Sequence, residues 1–243
     1  MMKRKNKVPM LLLVIAAALL VASSVGSTQA ALVITSNEYK AEVDVNSIGV
    51  ALIENGKELV AENDRVLAGQ PAEVSSAAQL FGNIENIEPG VSYKEELQVK
   101  NTGTIDTYVR VIITKYWAKD GVKSADHAPE YIKLGTPAHT AWVKDEEASR
   151  ADEEREIYYY TNMLAAGAVT PEALTSELCI DTDVLKELKQ ETADNVVTYS
   201  YVYDNCSCVV EVEVQAVQAR NAEDAIKSAW GVDVTVTDGK LSI

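Results

Sequence analysis

Residues 93–116 read YKEELQVKNTGTIDTYVRVIITKY. Tyr93, Glu95, Leu97 and Val99 recur at every second position, and Tyr108 to Tyr116 is a long run of β-branched and aromatic residues. Successive side chains leave a pleated strand on opposite faces, so period-2 alternation is what a half-buried strand needs. Asn101-Thr102-Gly103 between the two runs supplies the chemistry of a tight turn. This stretch therefore predicts two strands joined by a turn.

The same pattern extends outward. Upstream, Tyr39, Ala41, Val43 and Val45 alternate with Lys40, Glu42 and Asp44. Asn46-Ser47 breaks the phase, and Ile48, Val50 and Leu52 resume it before Glu54-Asn55-Gly56-Lys57, where Asn-Gly is a strong hairpin signal. Pro89-Gly90 suits the centre of a type II turn. Downstream, Tyr158–Thr161 and Leu174–Ile180 read as short strands, and Val196–Tyr203 with Cys208–Val217 as a late pair joined by Asp204-Asn205. Asn221 to Trp230 reads as a short helix with Asn221 as N-cap, acids in the first turn and Gly231 as the stop. Asp183 to Glu191 is a second helical candidate. The fold expected is all-β, an Ig-like or jelly-roll β-sandwich with short helices, one near the C-terminus. Within it Arg110 either pairs with an acid across the sheet or lies in solvent, Tyr158 to Tyr160 form core and rim of a strand, and Trp230 anchors the helix.

The first thirty residues have a different character. Lys3, Arg4, Lys5 and Lys7 precede an unbroken apolar run from Met10 to Ala22, which is short of the ~20 residues a membrane-spanning helix needs. Gly26, Thr28 and Ala30 place small residues before a cut after Ala30, the pattern of a secretory signal peptide; an uncleaved anchor is the alternative reading. The chain then divides into a leader (1–30), a strand-prone N-terminal segment (31–45) and a sandwich domain (46–243) with an acidic insertion around 119–156. The leader holds four of the 22 basic and none of the 37 acidic residues, so the mature chain carries 18 basic against 37 acidic residues, a net charge of −19. A field of that sign disfavours nucleic acid and anionic lipid as partners.

No catalytic constellation is evident. His127 and His139 lack the H-E-x-x-H spacing of a zinc protease, and no G-x-S-x-G elbow accompanies the serines. Cys206 and Cys208 flank Ser207 on one strand face, too far apart for an unstrained bridge. A Cys179 bridge to one of them and three free thiols both remain open. The run Lys144 to Glu156 reads as an exposed loop; Asp145, Glu146, Glu147, Asp152, Glu153 and Glu154 offer oxygen ligands for calcium but not EF-hand spacing. No cofactor, metal site or catalytic residue is expected.

Two sets of residues carry a family resemblance. Gly26-Ser27-Thr28-Gln29-Ala30-Ala31-Leu32 resembles the G-G-T-x-A-x-F stretch of exported Gram-positive proteins cut by SipW-type signal peptidases, with Ser27 and Leu32 as departures. Glu88-Pro89-Gly90, Leu97 to Gly103 and Tyr108-Val109-Arg110-Val111 resemble the P-G…V-x-N-x-G…Y-V-R-V signature of the TasA and camelysin family. Tyr158 to Tyr160 with Gly167, Ala216 to Ala219 and Asp224 to Gly231 are similar to later parts of that family, the last to Clostridia-type members. The resemblance implies an exported β-sandwich protein that assembles into fibres by donating an N-terminal strand to the next subunit. It makes Leu32 to Val45 the donor, with Leu32, Val33, Tyr39, Ala41 and Val43 as candidate inserting side chains. The implied partners are further copies of the chain in a head-to-tail polymer, a SipW-type signal peptidase during export, and related surface proteins. The expected place is the cell surface or extracellular matrix, as in a biofilm. A strand folding back on its own domain, as in a monomeric adhesin or ligand-binding module, is the alternative; the metallopeptidase class given to camelysin-type proteins is a third.

Overall fold

The structure is a computed structural model that describes residues 47–59, 80–82, 84, 86–138, 141–193 and 196–243. Two antiparallel sheets carry the fold. One runs, edge to edge, Lys57–Leu59 (β2), Val50–Glu54 (β1), Ser92–Asn101 (β3), Thr175–Ile180 (β9) and Ile132–Gly135 (β6). The other runs Cys206–Gln218 (β12), Thr107–Lys119 (β4), Arg155–Tyr160 (β8) and Trp142–Lys144 (β7), with Val122–Lys123 (β5) turning back on the end of β4. The chain is all-β, as the alternation predicts.

Between the sheets lies the main core. Leu52, Leu97 and Val99 from the first sheet meet Val109, Val111, Ile113, Tyr158, Tyr160, Val212, Val214 and Ala216 from the second. The second sheet is covered on its other face as well, which explains why β4 reads as a continuous apolar run rather than a clean alternation. Tyr108, Ile112, Ile157 and Tyr159 point outward and are capped by the helix Ala222–Trp230 (α1) through Ala222, Ile226 and Trp230. Leu241, from the hairpin of Thr235–Thr237 (β13) and Lys240–Ser242 (β14), closes the same layer. The tyrosine triplet is therefore split by the pleat, Tyr158 and Tyr160 inward and Tyr159 outward, and all three are buried.

The local turn signals hold. Asn55 (φ 48°) and Gly56 (φ 81°) form the two-residue left-handed turn between β1 and β2. Gly90 (φ 82°) follows Pro89 in a turn closed by Val91 N–H on the Glu88 carbonyl oxygen, 3.2 Å. Gly231 (φ 73°) ends α1, its N–H meeting the Lys227 carbonyl at 3.0 Å.

Other local expectations need correction. Val196–Tyr203 and Cys208–Val217 do not pair with each other. Leu188–Ala193 (β10) and Val196–Tyr201 (β11) form a separate two-stranded hairpin, while β12 pairs along its whole length with β4. Asp183 to Glu191 is a short 3₁₀ turn, Thr182–Leu185, running into β10. Asn221 stands at the start of α1 with left-handed backbone (φ 53°) and no side-chain cap, so its contribution is the αL turn. Among the described residues Arg110 is half-buried and pairs with no acid: its Nε donates to Gln215 Oε1 at 2.7 Å and its guanidinium lies over the Trp230 ring, 4.9 Å from the centroid. The stretch 119–156 contributes β5, β6 and β7, so it builds an edge of each sheet.

Candidate assembly surfaces

Three surfaces bear on what this fold does. The first is where the chain arrives from its N-terminal side. Ser47 to Gly49 lies against the turn after β3, with Thr102 and Gly103 N–H groups on the Gly49 carbonyl oxygen (2.9 and 3.2 Å) and Thr104 N–H on that of Ser47 (2.9 Å). A Cβ on Gly103 would stand 2.5 Å from the Ser47 carbonyl oxygen and 2.8 Å from the Gly49 nitrogen, so glycine here serves a close backbone crossing. Asn101 is fully buried and holds the crossing from below. Its Nδ2 donates to the carbonyls of Ile105 (2.8 Å) and Leu164 (3.1 Å), and its Oδ1 accepts from Gly103 N–H (2.9 Å). The N-T-G stretch thus seats the segment that leads back toward residue 46.

The second surface is an edge. β12 is 13 residues long and, among the described residues, hydrogen-bonds to a strand on one side only. Val212, Val214 and Ala216 face the core and Glu211 and Glu213 face away. Its free side presents a row of backbone donors and acceptors.

The third is the β10–β11 hairpin. Every described residue of both strands is exposed. At its base, Tyr203 is gripped by an aromatic cluster, edge-on to Trp117 (4.9 Å), His127 (4.9 Å) and Tyr131 (5.7 Å). The Ala128 N–H donates to the Tyr203 hydroxyl at 2.9 Å. His127 fastens the next turn. Nε2 lies 3.0 Å from the Val202 carbonyl oxygen, which can only accept, so Nε2 donates to it, and Nδ1 lies 2.5 Å from the Ser124 hydroxyl. Cys206 Sγ sits 3.3 Å from the same Nε2. Burial pushes the Cys206 thiol up, and that of Cys208 up to about 12, so both are neutral thiols rather than nucleophilic thiolates at neutral pH. All three cysteines are free. The Ser124–His127–Cys206 group is a clamp under the hairpin.

The acidic run contains more structure than an exposed loop. Glu156 is buried and accepts from Lys144 Nζ at 2.9 Å, while Lys115, at 1% exposure, reaches Glu156 (3.3 Å), Glu153 (3.4 Å) and the Ile132 carbonyl (3.0 Å). Asp145 accepts from Ala148 N–H, and Asp152 and Glu154 pair with Arg150 and Lys123. The Glu154 backbone N–H, with Arg150, holds the Asp152 carboxyl below its usual range. These carboxylates are engaged by the protein's own cations and amides. Among the described residues no group of three or more metal-binding side chains comes together.

Gly26, Thr28 and Ala30 of the leader, the donor residues Leu32, Val33, Tyr39, Ala41 and Val43, and His139 lie outside the described residues. No helix among the described residues is long and apolar enough to cross a membrane. Sequence reasoning missed the hairpin as a separate element; the alternation of Leu188, Gln190 and Thr192 opposite Val197, Tyr199 and Tyr201 is the signal that marks it. Comparison with protein-family models, with curated proteins and with solved structures finds no match.

Proposed function

We propose that this chain is a secreted structural protein of the cell surface or extracellular matrix, a fibre subunit whose β12 edge receives the N-terminal strand of the next copy. The single observation that carries this reading is the β12 edge, 13 residues long and paired on one side only among the described residues. An edge of that length needs an occupant or a blocking device; neither proline nor inward-facing charge occurs along it, and its charges are the outward Glu211 and Glu213. The segment Leu32–Val45 is strand-prone, with Leu32, Val33 and Ile34 followed by alternation from Tyr39 to Val45, and is long enough to span the edge. Strand addition gives affinity through backbone hydrogen bonds and register through alternate side chains. Donation from copy to copy is a heterologous contact, which propagates as a filament. A leader ahead of Leu32 keeps the donor strand from docking, so removal by a SipW-type signal peptidase is the trigger in this scheme.

Negative-stain electron microscopy of residues 31–243 at high concentration tests it. Filaments are expected, and deletion of residues 31–45 is expected to abolish them. Uniform small particles, or filaments that survive the deletion, overturn the donor-strand reading and favour a monomeric surface module.

A further inference from the structure

The β10–β11 hairpin has two unlike faces. Directly opposed residues of an antiparallel pair lie on the same side, so the pairs Leu188–Tyr201, Gln190–Tyr199 and Thr192–Val197 share one face. Lys189–Ser200 and Glu191–Thr198 share the other, where Lys189 Nζ meets Glu191 Oε1 at 2.7 Å. The first face carries no charge, and its large side chains stand open, Tyr199 at 62% and Tyr201 at 53% exposure. A lone two-stranded hairpin is marginally stable in water and gains a fixed shape only when such a face is covered. The opposite face adds one exposed apolar side chain, Val196 at the turn end, and other exposed apolar residues such as Val91, Val122, Val143 and Met163 are scattered over other elements.

We infer that this face docks onto the same face of a second copy of the chain, as a two-fold contact between hairpins. Charge selects the occupant. Two copies of a chain with net charge −15 repel wherever carboxylates meet, and this face offers no carboxylate and no cation. A partner must present an uncharged, aromatic, strand-like surface, and the chain itself carries one. The area sets the strength: Leu188, Val197, Tyr199 and Tyr201 present roughly 500 Å² per copy, so a face-to-face pair buries at most about 1,000 Å², the size of a weak or transient contact. Such a contact is weak between single molecules and strong where many copies are held in a row. It requires no N-terminal strand, and so stands apart from strand donation.

Gln190 and Tyr199 sit mid-hairpin on the apolar face, near the expected axis, and Thr198 sits mid-hairpin on the polar face. In the full chain, Gln190→Cys is expected to give a disulfide-linked dimer on mild oxidation, and Thr198→Cys and the unsubstituted chain to stay monomeric on a non-reducing gel. Adding Tyr199→Ser and Tyr201→Ser to Gln190→Cys should lower the dimer yield at least tenfold with an unchanged circular dichroism spectrum. Equal cross-linking at positions 190 and 198, or none at 190, overturns the inference. Cross-linking reads the hairpin whether or not filaments form, so its failure and that of strand donation are told apart.

Discussion

On β8, Tyr159 is fully buried beneath Trp230; on β11, Tyr199 stands 62% exposed. Both are tyrosines of antiparallel strands, and neither belongs to the main core between the sheets. The difference lies in the next element of the chain. After β12 the sequence turns at Asn221 into α1, whose Ala222, Ile226 and Trp230 form one apolar stripe at helical spacing. That stripe is long enough to cover the outer face of the second sheet. After β10 the chain turns straight back into β11, and β11 leads directly to the clamp at Tyr203. One surface is covered by the next element of the chain and the other, among the described residues, is not.

Removing the cover is the strongest way to break the contrast. Trp230 packs on Tyr159 with ring centroids 5.5 Å apart and carries the Arg110 guanidinium on its face. Trp230→Ala should cost about 3–5 kcal/mol by the usual penalty for emptying a buried aromatic site. At ~2–4 °C per kcal/mol for a domain of this size, the melting temperature falls by roughly 6–20 °C. The variant should also bind a hydrophobic dye at the newly bared sheet face. A loss under ~1 kcal/mol, far below that range, would mean that α1 is an ornament rather than a layer.

A gentler change loosens the cover without removing it. Gly231 adopts φ 73°, and a Cβ there would meet nothing within 4 Å. Gly231→Ala therefore adds only left-handed strain, about 1 kcal/mol. A fall of ~2–4 °C in melting temperature is expected, with no change in oligomeric state.

The legibility of each element in the sequence depends on the range of the interactions that define it. The strand at 93–100, the run after it, the Asn55-Gly56 hairpin and α1 with its Gly231 stop are each specified within a dozen residues, and period or turn chemistry exposes them. Pairing partners are not local. Alternation marks β12 as a strand but says nothing of β4, and the nearest strand in sequence, β11, is not its partner. Arg110 is tied to Gln215, 105 residues away, so no neighbouring residue reveals its environment. The charges from Lys144 to Glu156 read as solvated because Lys115, which draws Glu156 into the interior, arrives from another strand. Of the candidate site, the leader and donor segment are legible as pattern alone. Whether an apolar strand face is covered depends on the whole fold, which is why the hairpin emerges only in three dimensions.

The smallest effect on stability comes from the bare face itself. Leu188, Val197, Tyr199 and Tyr201 are about half exposed or more, and the hairpin's footing rests on Tyr203, Trp117, His127 and Tyr131 instead. Tyr199→Ser with Tyr201→Ser removes two aromatic rings that touch little in the single chain. Surface changes of this kind fall within about 0.5 kcal/mol, a shift of ~2 °C at most in the melting temperature of dilute protein. Concentrated protein should behave differently. If copies pair through this face, the unsubstituted chain gains stability by mass action as concentration rises, and the double variant does not. Melting curves of the two at low and high concentration should therefore coincide at the first and separate at the second. Curves that remain together at every concentration would mean that the exposed tyrosines serve no copy of this chain, and a large loss already in dilute protein would mean that they belong to its own core.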